Sequence, residues 1–244
     1  MNQFESAFRT ALIENLVTPT FLRLLNEAAE IDYNEAASRS FNDPRISQPF
    51  KPYTFGQDRY YLTQSSFYES GLAGGLDVKV VNCPSNGYPI TIARFGRFLA
   101  TYHFGKSPNT ISCPQTSLIR QQHASCNKEL AAPKLPGMAT SEPILNLESL
   151  NLANEIYINI VHGCTGHGRD FGVSGFLRIV LPYYRQWIDA KTKRKRQEFG
   201  FLVNLNLQEI LATLVENDQA RTQATPKIVD VAVPKVKKLV GANG

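Results

Sequence analysis

Residues 154–164, NEIYINIVHGC, leave their backbone little choice. Isoleucine recurs at every second position, and period two sets Ile156, Ile158, Ile160 and His162 on one face of a strand. The run VSGFLRIVLP, residues 173–182, has the same β-branched, apolar character, so the two predict a strand pair. HGCTGHGRDFG, residues 162–172, joins them, and Gly163, Gly166, Gly168 and Gly172 mark it as a turn. His162 ends the apolar row, which predicts a buried imidazole with one hydrogen bond.

Helical spacing marks the N-terminus. Phe4, Phe8, Ala11, Leu12 and Leu16 share one face. In TPTFLRLLNEAAE, Thr18 is a good N-cap and Pro19 fits the first helical position, where its missing N–H costs nothing. Phe21, Leu24, Leu25 and Ala28 form the buried stripe of that second helix. Residues 33–57 space Pro44, Pro49 and Pro52 among Phe41, Phe50, Tyr53 and Phe55, which predicts a packed aromatic loop. Three strand-like runs follow, RYYLTQSSF, LDVKVVNC and PITIARFGRFLATYHF, with a hairpin turn at Asn86-Gly87 between the last two. TSLIRQQHASCNKELAA reads as a helix, the Pro/Gly-rich PKLPGMATSEP as a link, and a late helix lies near LQEILATLVEN.

These elements predict an α+β fold, a helical N-terminus packed on a central, mainly antiparallel sheet, in the order α-β-β-β-α-β-β-α. One domain is expected over residues 1–220, followed by a flexible basic tail over 221–244.

Composition narrows the function classes. Hydrophobic residues at 43% and charged residues at 19% are those of an ordinary globular chain. No apolar run approaches the roughly 18 residues of a membrane helix. Glu5 and Glu14 interrupt the N-terminal stretch, which also lacks a cleavage-like site, arguing against a signal peptide. Four cysteines without a secretory signal imply free thiols in a reducing compartment. The expectation is a soluble intracellular protein, cytoplasmic, or nuclear in a eukaryotic or viral setting, with no membrane partner. The net charge is +5, but residues 1–180 balance 15 basic against 15 acidic side chains. The excess therefore lies in residues 181–244, 11 against 6, which implies a local basic feature on a neutral body.

His162, Cys164 and His167 are candidate metal ligands, with Cys113, His123 and Cys126 as a second loose cluster. Neither has paired C-x-x-C spacing, and Ile119, His123, Cys126 and Leu130 also fit a buried helical stripe, so no metal and no other cofactor is expected. Asp77-x-Lys79 places an acid and a lysine on one strand face, as metal-dependent nucleases do. The order helix, three strands, helix, strand resembles the core order of restriction-endonuclease-like folds. That resemblance implies an acid-x-lysine pair on the third strand, whereas TIARFGRF presents Arg94 and Arg97 there. No nucleophile elbow, Walker loop or dinucleotide fingerprint is present.

The basic run AKTKRKRQ, residues 190–197, matches the charge distribution best. Lys191, Lys193, Arg194, Lys195 and Arg196 can neutralise several phosphates, and Tyr183, Tyr184, Trp187 and Phe199 flank them as aromatics suited to single strands. Arg94 and Arg97 can extend that surface. The leading expectation is a non-catalytic, nucleic-acid-associated protein that uses this run and the tail, with the nucleic-acid type open. Its alternatives are a protein-interaction or regulatory module using residues 33–57 and the glycine-rich hairpin, and a metal-dependent nuclease.

Overall fold

The computed structural model describes residues 2–16, 19–83, 86–105, 118–132, 144–164, 175–189 and 192–224. Helix α1 (Gln3–Asn15) starts on Asn2, whose side chain accepts from the Glu5 amide at 2.7 Å. It buries Phe4, Phe8, Ala11 and Leu12, the face its spacing predicts. Helix α2 spans Thr20–Phe41, and α3 spans Lys51–Ala73 with Pro52 in its first turn. Phe21 packs on Phe67 while Tyr33 and Phe41 pack on Phe55, so α2 and α3 run antiparallel.

Two expectations fail in this helical layer. Residues 33–57 are mostly helix, because Ala29, Tyr33, Ala36 and Ser40 prolong the buried stripe of α2. Phe41 and Phe55 pack on one another between the two helices, leaving only Phe50 and Tyr53 as well-exposed aromatics of that stretch. RYYLTQSSF, residues 59–67, is the middle of α3 and not a strand. Its aromatic and β-branched residues favour a strand locally, but Phe55, Thr63, Phe67 and Gly71 fall at multiples of four on the buried face. Tertiary packing decides the matter: the Phe67 ring stacks on Tyr102 at 5.3 Å.

Strands β1 (Asp77–Asn82), β2 (Pro89–Phe95) and β3 (Phe98–Phe104) form an antiparallel meander. PITIARFGRFLATYHF is therefore a hairpin, turned at Gly96, whose φ of +52° favours glycine. A Cβ there would also lie 1.7 Å from Asn15 Oδ1. The chain then crosses through α4 (Leu118–Ala124), a 3₁₀ segment (Ser125–Leu130), a short β4–β5 bridge (Ala131–Ala132 with Ile144–Leu145) and α5 (Leu147–Leu152). Strand β6 (Ile156–Gly163) lies parallel to β3, from Phe98 opposite Ile156 to Phe104 opposite His162. Strands β7 (Phe176–Ile188) and β8 (Lys195–Asn206) extend the sheet antiparallel, and α6 (Leu207–Ala224) closes the described chain.

Among the described residues the six long strands lie in the order β1-β2-β3-β6-β7-β8, with one parallel neighbour pair, the mainly antiparallel α+β architecture expected. Alternation on β6 divides the core as period two requires. Ile156, Ile158 and Ile160 join the larger cluster with side chains of α1, α2, α3 and α6, while Tyr157 joins Ile92, Leu99, Ala124 and Tyr184 on the opposite face.

The β6–β7 ladder stops at Asn159 opposite Val180, short of Pro182, which has no N–H to give. The fully buried Asn127 fills the gap. Its Nδ2 donates to the Tyr157 and Pro182 carbonyls, each at 2.6 Å, and its Oδ1 accepts from the Tyr157 amide at 3.0 Å. One side chain thus replaces the missing rungs. No helix among the described residues is long and apolar enough to cross a membrane.

Candidate functional site

Beyond Asn127, β7 pairs with β8 alone and the two form a ribbon, through Ile188 opposite Lys195. Its base is anchored by Tyr183 and Arg185. The Tyr183 hydroxyl donates to Glu198 at 3.1 Å, Arg185 lies across from Glu198 at 3.8 Å, and Arg185 also donates to the Ala131 carbonyl. The tip is closed by Asp189, which accepts from the Thr192 amide at 2.7 Å through its carboxylate and from the Lys193 amide at 2.8 Å through its carbonyl. Lys193 takes φ +55° in that turn.

Lys193, Arg194, Lys195 and Arg196 are exposed on this tip, and Lys191 lies outside the described residues. Trp187 sits directly across the ribbon from Arg196 and is 43% exposed; its neighbour Ile188 is 71% exposed. Of the flanking aromatics, Tyr183 and Tyr184 turn into the body instead.

Arg94 and Arg97 lie at the same end of the sheet as the ribbon but have other work. Arg94 pairs with Glu155 at 2.5 Å. Arg97 Nη1 donates to the carbonyls of Leu150, Asn151 and Ala153 at 2.9, 3.2 and 3.2 Å, satisfying the C-terminal end of α5. The Arg94 side chain stays 42% exposed beside Glu155.

The opposite end of the sheet carries buried polar chemistry. His162 is 2% exposed and its Nδ1 lies 2.9 Å from the Tyr33 hydroxyl, the buried, singly bonded imidazole that the alternation predicts. Burial, with the Arg59 charge beside it, pushes His162 down to about 3, so the ring is neutral. Cys164 is buried against Tyr33, Ala36 and Phe55, and His167 and Cys113 lie outside the described residues. Among the described residues no three His, Cys, Asp or Glu side chains converge to hold a metal ion. Asp77 and Lys79 are exposed on edge strand β1, and the Asp58 carboxylate accepts from Ser40 at 3.0 Å.

A second histidine, His103, is fixed by Thr101. Thr101 Oγ1 lies 2.8 Å from His103 Nε2, 2.7 Å from the Tyr157 hydroxyl and 3.0 Å from Asn159 Oδ1. An amide oxygen only accepts, so the single Thr101 proton goes to Asn159, and the hydroxyl accepts from Tyr157 and from His103 Nε2–H. His103 thus carries a proton on Nε2, and burial, with the Arg120 charge beside it, disfavours a second one.

Sequence reasoning missed Arg59. Its guanidinium stands 3.6 Å from the Phe104 ring centroid, 5.2 Å from Phe55 and 5.6 Å from Tyr33. The signal was present: Phe55, Arg59, Thr63 and Phe67 recur every four residues, so a cation occupies an apolar helical stripe. No protein-family model, curated protein or solved structure matches this chain.

Proposed function

We propose that the chain is a non-catalytic nucleic-acid-binding protein that holds phosphate backbone on the tip of the β7–β8 ribbon. The supporting observation is the pairing of Trp187 with Arg196 across a two-stranded ribbon whose tip also exposes Lys193, Arg194 and Lys195. Cations on a narrow ribbon can approach several phosphates at once, and counterion release makes that contact favourable and strongly salt dependent. Trp187 offers an indole face for base stacking beside the Arg196 charge. Lys191 and the tail cations Lys227, Lys235, Lys237 and Lys238 belong to the same reading, as does the intracellular setting such a ligand requires. The protein-interaction reading is weaker, since Phe41 and Phe55 are engaged within the helical layer.

Fluorescence anisotropy with labelled single-stranded and duplex DNA and RNA, over a range of salt, tests the proposal. The full chain should bind, and replacing Lys193, Arg194, Lys195 and Arg196 together by Ala should flatten the log–log salt slope by about 3 on single strands. Trp187→Ala should weaken single-strand binding by about 1–3 kcal/mol. Binding unchanged in the fourfold variant would overturn the assignment.

A further inference from the structure

Two adjoining cavities lie at the end of the sheet opposite the ribbon, and neither is used by the reading above. The outer one is an open cleft of about 490 Å³ whose lining includes Tyr53, Gln57, Tyr60, Tyr88, His103 and Arg120. The inner one is much smaller, about 80 Å³, and its lining includes Arg59, Gln64, Tyr102 and His162. Gly56, Tyr60 and His103 are common to both.

The inner cavity is lined by donors. Arg59 is a largely buried cation, and no carboxylate among the described residues pairs with it; its neighbours are the aromatic faces of Tyr33, Phe55 and Phe104. The Tyr33 hydroxyl is shared with His162 Nδ1 at 2.9 Å. The Tyr102 hydroxyl is fully buried and has no hydrogen-bond partner among the described residues. The Gln64 carboxamide is spent on the sheet, donating to the Tyr102 carbonyl and accepting from the Thr91 amide, both at 2.8 Å. An uncompensated buried guanidinium and an unused hydroxyl around one small space are costly when empty and complementary to an oxyanion. Asp32, the nearby carboxylate, accepts from Ser66 at 2.9 Å and lines neither cavity.

The outer cleft complements a ring. Tyr53 is 76% exposed and Tyr88 37% exposed at its rim, and Tyr60 is fixed by donating to the Pro89 carbonyl at 2.5 Å. Gln57 and Asn86 bring amide groups to the same wall, suited to the edge of a heterocycle. The volume falls within the range of small-ligand sites. We propose that the two cavities together bind a nucleoside monophosphate, its base among the tyrosines and its phosphate at Arg59 and Tyr102. This site stands independently of the ribbon.

Isothermal titration of the full chain with AMP, GMP, CMP and UMP, and with adenosine and inorganic phosphate as controls, tests it. At least one mononucleotide should saturate the protein, about tenfold or more tighter than its nucleoside or phosphate alone, the worth of one charge-assisted contact. Tyr102→Phe removes only the unused hydroxyl, so its unfolding midpoint should hold or rise while mononucleotide affinity falls about tenfold. Tyr53→Ala, at an exposed position, should weaken the mononucleotide and leave phosphate binding unchanged. The fourfold ribbon variant should bind the mononucleotide as the wild type does, which separates this site from the ribbon. No saturable binding by any of the four, equal binding by Tyr102→Phe, or loss in the ribbon variant would each overturn the proposal.

Discussion

Tyr33 and His162, 129 positions apart in the chain, meet through a hydrogen bond of 2.9 Å with their rings edge to face, centroids 5.7 Å apart at 85°. The contact ties α2 to the end of the central strand β6 and holds a titratable ring that is buried. His162 titrates near 3 when folded and near 6.5 when exposed, so the unfolded chain binds the extra proton between those values. Stability is therefore lost as pH falls from about 6.5 towards 3, by up to about 1.4 kcal/mol per pH unit from this group. Urea melts across that window should show His162→Gln losing close to one linked proton relative to wild type. An unchanged profile would place His162 in water.

Asp32 acts with the opposite sign. Burial raises it to about 6, against the hydrogen bond from Ser66, and its Oδ2 has no partner among the described residues. Its folded value lies above the unfolded 3.8, so its contribution is intact below 3.8 and is lost as pH rises through 6. Asp32→Asn should match wild type near pH 3.5 and exceed it by roughly 3 kcal/mol above pH 7. Equal stability of the two proteins at both pH values would refute a buried, ionising Asp32.

Asn127→Ala should be among the most damaging single substitutions outside the apolar core. It strands the Tyr157 amide and two carbonyls between β6 and β7, at a cost of about 4 kcal/mol. Denaturant melts give the number. Hydrogen exchange should in addition show the Tyr157 amide losing protection more than its neighbours.

Arg97→Ala separates the two ends of a confusion that charge alone invites. It should cost about 1–3 kcal/mol in thermal or urea unfolding, because three carbonyls at and just past the end of α5 lose their donor, while nucleic-acid affinity measured on the folded protein stays at the wild-type value. A drop in affinity without a drop in stability would return Arg97 to the binding surface.

Much of the sheet was legible because its signals are local. The isoleucine row of β6 and the Asn86-Gly87 turn each depend on neighbours in sequence. Helix α3 was not, since the aromatic and β-branched residues of 59–67 speak for a strand until Tyr102 is present to stack on Phe67. The same limit hid the chemistry. The positive charges of Arg94 and Arg97 are visible in the sequence, but their partners Glu155 and the α5 carbonyls are 53 to 61 residues away. Arg59 was readable as a cation in an apolar stripe, but the cavity beside it needs three elements to enclose it.

The parallel seam between β3 and β6 also has a kinetic meaning. On either side of it the long strands pair with their sequence neighbours, β1 to β3 in one group and β6 to β8 in the other, so each meander closes over connections far shorter than the crossover between them. Joining them requires the crossover from Phe104 to Ile156 to be in place first, the one costly loop closure among the described strands. Truncations at the seam, such as Ile158→Val, should therefore slow folding, whereas changes at the ribbon tip should leave the folding rate untouched and act on unfolding alone.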